Sequence, residues 1–382
     1  MQSDQESDPK PHLEALGAYP GGKYVHGSFK VSPGSLPPRG QGIYKTCMKA
    51  AVVDRYGPPE VVQIRVVPTP VAGAGRLLIR VVRATVTSGD ARVRGFNLPR
   101  PIFWLPGRLA LGVLRPRQKV LGTELSGIVE QVGAGVTRFR EGDRVFAYAA
   151  FGKSGGAHAE FIVMDEDAAI EPVPAGFSME EAACIGFGGT TALYYLEKLG
   201  KIKAGQRVMV VGASGAVGLA SVSIAGHMGA QVTGVCSSKN AALVRQAGAV
   251  RVIDYTEEDC TDPAVTGGAF DLVFDVVGAH KAGAYKRVVD KGGLCLACVM
   301  GFDEIVRMIA GRLLGGPRVK AGVALESPEV LGRLRELAEA GGYRPVVDRV
   351  YPFAEIVEAY RYVDTWRKRG SVVLSVSDDQ IG

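Results

Sequence analysis

At 382 residues, 47% of them hydrophobic and 22% charged, the chain is too long for one ordinary core and reads as a soluble globular protein of two domains. Its formal net charge of +6 does not favour a nucleic-acid partner. Cysteines at 47, 184, 236, 260, 295 and 298 are too sparse for a disulfide framework, which points to a reducing compartment, the cytoplasm.

Residues 1–47 are polar and rich in Gly and Pro, follow neither helical nor strand period, and are expected to form a disordered extension. Early acids (Asp4, Glu6, Asp8) and the lack of a basic start with an apolar run argue against a targeting signal. The ordered body is expected from Met48, in "MKAAVVDRYG". Up to about residue 171, short β-branched runs such as "LLIRVVRATV" and "LSGIVEQVG" are broken by Gly and Pro, which predicts an antiparallel, partly barrel-like domain. Within it, Arg92–Lys119 carries seven basic residues and no acid, together with Ile102, Phe103, Trp104, Leu105, Leu109 and Leu111. That stretch reads either as a lid or entrance that attracts an anionic ligand, or as a surface loop docked by its apolar side.

From residue 178 the texture changes. Ser178 before Glu180 and Glu181 is a helix-start signature. Strand-like "RVMVVG", "QVTGVCS", "VRVIDY", "DLVFDVVG" and "GGLCLACVMG" then alternate with helical segments, which predicts parallel β-α-β units and a doubly wound sheet. After residue 325 come two more helices, a strand-like "RPVVDRVY" and a terminal strand "SVVLSV".

The uncharged stretch "VMVVGASGAVGLASVS" (208–223) carries Gly212, Gly215 and Gly218. Its glycines and serines leave too little lipid-facing bulk for a membrane span, and no integral membrane segment is expected. A strand running through a glycine-rich turn into a helix gathers backbone N–H groups at one point, where Ser214, Gly215, Ala216, Val217 and Gly218 would hold a pyrophosphate. At the end of the next strand an acid would bind the ribose 2′-hydroxyl. Ser237, Ser238 and Lys239 stand there instead, which favours NADPH over NADH, with a plain polar turn as the alternative.

With "VLGTELSGIVEQVGAGVTRFREGDRVFA", "EEAACIGFGGTTALYYL" and "VMVVGASGAVG" on the page, the chain resembles the medium-chain dehydrogenase/reductase superfamily over nearly all of residues 48–376. The resemblance implies an α/β fold: a GroES-like, β-rich catalytic domain (48–171, completed by 326–382) and a doubly wound Rossmann domain (172–325), with the active site in the cleft between them. It also implies a cofactor contact for Thr191 at the nicotinamide end, one for Tyr255 near the adenosine phosphate, and Gly278 lining the floor. Thr191 and Tyr255 could equally be a helix hydroxyl and a core aromatic.

The superfamily's zinc-ligand positions fall on Thr87, Thr123 and approximately Phe187, none of them a useful zinc ligand. No metal site is therefore expected, and the chain resembles the zinc-free, quinone-oxidoreductase-like branch. Cys295 and Cys298, three apart on a strand, would point to opposite faces, and His158 has no companion ligand nearby in sequence. Without a Lewis acid, hydride addition suits quinones and enones, whose product anion is delocalised and needs only hydrogen-bond donors. Thr87 and Tyr148 are the candidate donors to the carbonyl, with a water or the cofactor ribose as the alternative source of the proton. Asp90 belongs to the candidate set, and its expected work is to fix the loop by accepting backbone N–H bonds. The expected protein is thus a homodimeric NADPH-dependent quinone or enone reductase acting on a small molecule. An enoyl-thioester reductase, or a catalytically idle cofactor- or RNA-binding relative, remain the alternatives.

Overall fold

The computed structural model describes residues 46–97, 104–149, 155–310 and 317–379. The expected extension up to residue 45 and the apolar pair Ile102 and Phe103 lie outside the described residues. The first strand, β1 (Cys47–Val53), starts one residue ahead of Met48 and pairs antiparallel with β2 (Val62–Pro68). The β-branched runs that follow form β3 (Arg76–Thr85), β4 (Glu124–Val132), β5 (Arg144–Tyr148), β6 (Phe161–Asp165) and β7 (Ile170–Pro172). Between β3 and β4 lie two short helices, α1 (Ser88–Gly95) and α2 (Trp104–Leu111).

The change of texture at residue 178 is a change of architecture. Ser178 caps α3 (Met179–Ala183) in a reciprocal capping box with Glu181. The helix breaks at Cys184, resumes as α4 (Gly186–Leu193) and ends in a wider π turn over Tyr194–Gly200. Six parallel strands follow: β8 (Arg207–Val211), β9 (Gln231–Cys236), β10 (Arg251–Asp254), β11 (Phe270–Asp275), β12 (Val289–Ala297) and β13 (Arg318–Lys320). The helices between them are α5 (Ala216–His227), α6 (Ala241–Gln246), α7 (Pro263–Thr266) and α8 (Phe302–Ala310). Their sheet order, β10-β9-β8-β11-β12-β13, reverses direction between β8 and β11, the doubly wound pattern with its switch point there. The chain then forms α9 (Pro328–Glu339), β14 (Val347–Pro352), α10 (Ile356–Asp364) and β15 (Ser371–Ser375). The last two strands return to the first sheet, whose order is β14-β15-β3-β4-β5-β7 with β6 on β3. The protein is therefore an α/β fold in which a GroES-like sheet, with the small β1-β2 ribbon as a separate sheet, stands beside a Rossmann sheet.

The uncharged stretch 208–223 lacks charge because α5 has no solvent face to serve. Val217, Leu219, Ala220, Val222, Ile224 and Ala225 all belong to the main core, the signature of a helix covered on every side. Two glycines of α4 permit that packing. A Cβ on Gly188 would stand 2.9 Å from the Ala216 carbonyl oxygen, and one on Gly189 would stand 2.6 Å from Leu334 of α9.

α1 is pinned from the opposite direction. The buried Arg94 guanidinium donates to Asp364 of α10 at 2.5 Å and to the Gly57 carbonyl at 2.8 Å, and stacks over Tyr360 at 5.1 Å. Arg108 of α2 lies against Phe96 (4.0 Å), Tyr56 (4.9 Å) and Trp104 (5.3 Å), which folds the basic stretch back on its own domain. Its apolar residues are only partly used by this docking: Trp104, Leu105 and Leu109, with Val113 and Leu114 beyond them, remain exposed.

Candidate active site

At the switch point the ends of β8 and β11 meet. Gly212 leaves β8 with φ +82°, and a Cβ there would stand 2.6 Å from Val277, in the turn after β11. A Cβ on Gly218 would fall 2.2 Å from the Gly212 carbonyl oxygen, so only glycine lets the first turn of α5 sit on the loop. Gly215, by contrast, has open space where its side chain would be: its nearest neighbour is 3.8 Å away. It is the N-cap of α5 and supplies no side-chain cap. The N–H groups of the first turn, at Ala216 and Val217, are thus left for a ligand, with the helix dipole behind them. This donor set fits a dinucleotide pyrophosphate. Gly278, exposed and with φ +71°, follows on the β11 side, its N–H donated to Asp275 at 2.7 Å.

In the turn after β9, Ser237 is half-buried while Ser238 and Lys239 are exposed. Asn240 Nδ2 donates to Ser214 Oγ at 3.1 Å and lies 3.4 Å from Ser237 Oγ, tying the serine turn to the glycine loop. Tyr255 is exposed, and its hydroxyl accepts from Arg367 at 3.2 Å. Arg367 arrives because the segment leading into β15 is stitched onto the glycine loop: Gly370 N–H donates to the Ser214 carbonyl at 3.0 Å, and Gly370 bridges Gly215. A cation from far along the chain is thereby held against Tyr255.

On the facing sheet, Thr87 caps α1. Its hydroxyl donates to Asp90 Oδ2 at 2.6 Å and accepts from the Asp90 N–H at 3.0 Å, while Asp90 Oδ2 also accepts the Thr87 N–H at 2.9 Å. The other Asp90 oxygen accepts the Gly122 N–H at 3.2 Å. Asp90 thus fixes two loops by backbone acceptance, and it also accepts the Thr87 hydroxyl's hydrogen bond. Tyr148 stands at the end of β5, half-buried, with no hydrogen bond to its hydroxyl among the described residues. Burial, reinforced by the carboxylates of Glu124, Asp90 and Glu326, pushes its phenol well above the usual range and keeps it a neutral donor. Thr191, half-buried on α4, donates its hydroxyl to the Phe187 carbonyl at 2.8 Å.

The residues sequence reasoning passed over are Glu124, Lys368 and Arg367. Glu124 is 1% exposed; it accepts from Thr85 Oγ1 at 2.5 Å and from the Phe187 N–H, so it joins the GroES-like sheet to the start of α4. Burial raises its pKa to about 7. Lys368, half-buried, donates to the Gly370 carbonyl at 2.7 Å, and burial lowers its pKa. The run "RKRG" at 367–370 is the signal that could have directed attention to both cations; for Glu124 only the "GTE" motif itself was visible.

The positions corresponding to the superfamily's zinc ligands do not fit a metal. A Cβ on Gly89 would touch Phe187 Cε2 at 3.2 Å and Thr87 Oγ1 at 3.3 Å, which puts an aromatic ring, not a donor, beside Thr87. Thr123 is buried and its hydroxyl has no partner among the described residues, but a hydroxyl alone is a poor ligand. His158 is committed on both ring nitrogens, Nε2 to the Thr85 carbonyl at 2.8 Å and Nδ1 to the Tyr360 hydroxyl at 3.4 Å. Cys295 packs in the core on one face of the Rossmann sheet and Cys298 against the core on the other, so they do not converge.

Residues 73–175 match the family described as the alcohol dehydrogenase GroES-like domain, and residues 247–374 the family described as zinc-binding dehydrogenase. The mitochondrial NAD(P)H oxidoreductase RTN4IP1 of Mus musculus is 28% identical over 363 residues, spanning 87% of this chain and 90% of its own. The solved quinone oxidoreductase of Coxiella burnetii superposes with a TM-score of 0.74 at 25% identity, over 87% of this chain and all of the other. A mycobacterial protein solved in complex with NADPH gives 0.70 at 26%, over 86% of this chain and all of its own. The chain belongs to the medium-chain dehydrogenase/reductase superfamily of oxidoreductases, in its quinone-oxidoreductase-like branch.

Proposed function

We propose that this protein is an NADPH-dependent reductase that delivers hydride to a quinone or to the β-carbon of an α,β-unsaturated carbonyl, without a metal. The observation that carries this reading is the Tyr148 phenol, without a hydrogen bond among the described residues and set beside Thr123 by the pairing of β5 with β4, while Thr87, Thr123 and Phe187 supply no zinc ligand. A full alkoxide would call for a Lewis acid, whereas an enolate or hydroquinone anion is held by one or two aimed donors. Tyr148 is the donor of choice. Thr87 becomes a support, since its hydroxyl already donates to Asp90. NADPH, when bound, supplies the hydride.

The chain's own part is to hold and orient. The N–H groups of Ala216 and Val217 take the pyrophosphate, with Ser214, Gly215, Gly218 and Gly278 shaping the crevice. Ser237, Ser238, Lys239, Tyr255 and Arg367 receive the 2′-phosphate, and Thr191 borders the nicotinamide end. The NADPH complex of the mycobacterial relative supports this cofactor. In this reading residues 48–171 with 326–382 form the catalytic domain and 172–325 the cofactor domain. The basic-apolar stretch 92–119 borders the entrance: Arg92 reaches Trp366 at 4.9 Å. The β13 edge, unpaired among the described residues, supports a homodimer. No helix among the described residues is long and apolar enough to cross a membrane. We place the protein in the cytoplasm, with the mitochondrion of the mouse relative as the competing outcome of cell fractionation.

The test is NADPH consumption across a panel of quinones, enones, enoyl thioesters and aldehydes, before and after chelation. Quinone or enone turnover that survives chelation is expected. Turnover confined to enoyl thioesters would move the assignment to that class, and no turnover at all would leave a cofactor-binding relative.

A further inference from the structure

Two turns on the rim of the Rossmann sheet bring together three side chains that the reduction reaction does not use. Asp259 and Cys260 lie in the turn after β10, and His280 in the turn after β11. One carboxylate oxygen, Cys260 Sγ and a His280 ring nitrogen all lie within 4.8 Å of one another. Cys260 Sγ stands 3.9 Å from His280 Nε2. Ligands on a tetrahedral zinc, at about 2.3 Å for sulfur and about 2.0 Å for nitrogen, stand roughly 3.5 Å apart. That pair is therefore a few tenths of an ångström from closing on an ion.

Both turns are built before any ion arrives. Asp259 Oδ1 accepts the Thr261 N–H and hydroxyl, each at 2.8 Å, which leaves its second oxygen for another partner. Asp275 holds the other turn: Oδ1 accepts the N–H groups of Val277, Gly278 and Ala279, and Oδ2 accepts that of His280 at 3.3 Å. Tyr285 donates to Asp275 Oδ2 at 2.9 Å and packs edge-on against the His280 ring at 5.7 Å, which restrains the imidazole. The thiol is buried, while Asp259 and His280 reach solvent, so a water can take a fourth position. Sulfur, imidazole nitrogen and carboxylate oxygen together suit a borderline cation such as zinc and disfavour magnesium or calcium, which take oxygen ligands.

We propose that Asp259, Cys260 and His280 form a zinc-class cation site, distinct from the superfamily's ligand positions at Thr87, Thr123 and Phe187. Its ion ties the turn that follows Tyr255 to the turn that carries Gly278, and so braces two walls of the cofactor crevice from outside.

The full-length protein, stripped with chelator, is titrated with Co2+ and then with competing Zn2+. The expected result is one equivalent of Co2+ with a thiolate-to-cobalt charge-transfer band and four-coordinate visible bands, both erased by Zn2+. Cys260→Ser should abolish the charge-transfer band. His280→Ala and Asp259→Asn should each weaken cobalt binding by about tenfold or more. His280 is exposed, and Asn at 259 still accepts from Thr261, so both variants should keep the wild-type circular dichroism. A wild-type spectrum without charge transfer, even with cobalt bound, would mean adventitious surface binding and overturn the site. The same band in Cys260→Ser, or wild-type affinity in both His280→Ala and Asp259→Asn, would overturn it equally.

Discussion

Replacing Glu124 by Gln should stabilise the protein at neutral and higher pH. The carboxyl is buried, and its pKa rises from an ordinary 4.5 to about 7, with burial as the largest cause. For an acid raised in the folded state, the unfolded chain ionises first. Stability is therefore full below about pH 4.5, falls as pH rises between about 4.5 and about 7, and is lost above. At about 1.4 kcal/mol per pH unit, that window corresponds to about 3 kcal/mol. Gln keeps the shape of the neutral acid: its oxygen accepts the Phe187 N–H and its amide donates to Thr85 Oγ1, a hydroxyl free to turn. Urea unfolding from about pH 5 to about pH 8 should show wild type and variant alike at the acid end, with the variant ahead by up to about 3 kcal/mol at the basic end. Equal pH slopes, or a variant less stable than wild type at pH 8, would refute the reasoning, because Glu124 would then be ionised and favourably held in the fold.

Tyr148→Phe should lower kcat by about 100- to 1000-fold with little change in KM, the loss seen when one anion-stabilising donor is removed. Thr87→Val should chiefly cost stability, about 1 kcal/mol for a lost cap; a larger kcat loss there than at Tyr148 would exchange their roles. Lys239→Glu and Arg367→Glu should each reduce the NADPH-over-NADH preference by about 10-fold or more, read from the ratio of kcat/KM for the two cofactors. An unchanged ratio in both would remove the 2′-phosphate assignment. Reversing the exposed Arg115 and Arg117 should raise KM for NADPH or substrate at low salt and matter less at high salt; identical kinetics at both ionic strengths would make the stretch a docked surface loop only.

The glycine turn between β8 and α5 was legible in the sequence because it is local. Gly212, Gly215 and Gly218 act through backbone geometry within one strand–turn–helix, so their spacing carries the information, and the chargeless run around them reported a helix with no solvent face. The alternation of strands and helices likewise predicted the parallel sheet, because each β-α-β unit buries its own apolar stripe. The absence of zinc ligands at Thr87, Thr123 and Phe187 could also be read from residue identity. What depended on distant parts of the chain could not. Arg367 reaches Tyr255 only because β15 pairs with β3 and the segment before it lies on the glycine loop, a contact across more than 100 residues. Thr87 is a weaker candidate donor because its hydroxyl already donates to Asp90. Glu124 acquires a shifted pKa only when two sheets close over it, since desolvation belongs to the assembled environment and to no residue alone. Asp259, Cys260 and His280 meet because parallel strands set two turns side by side at one end of a sheet, a proximity that sequence spacing does not encode.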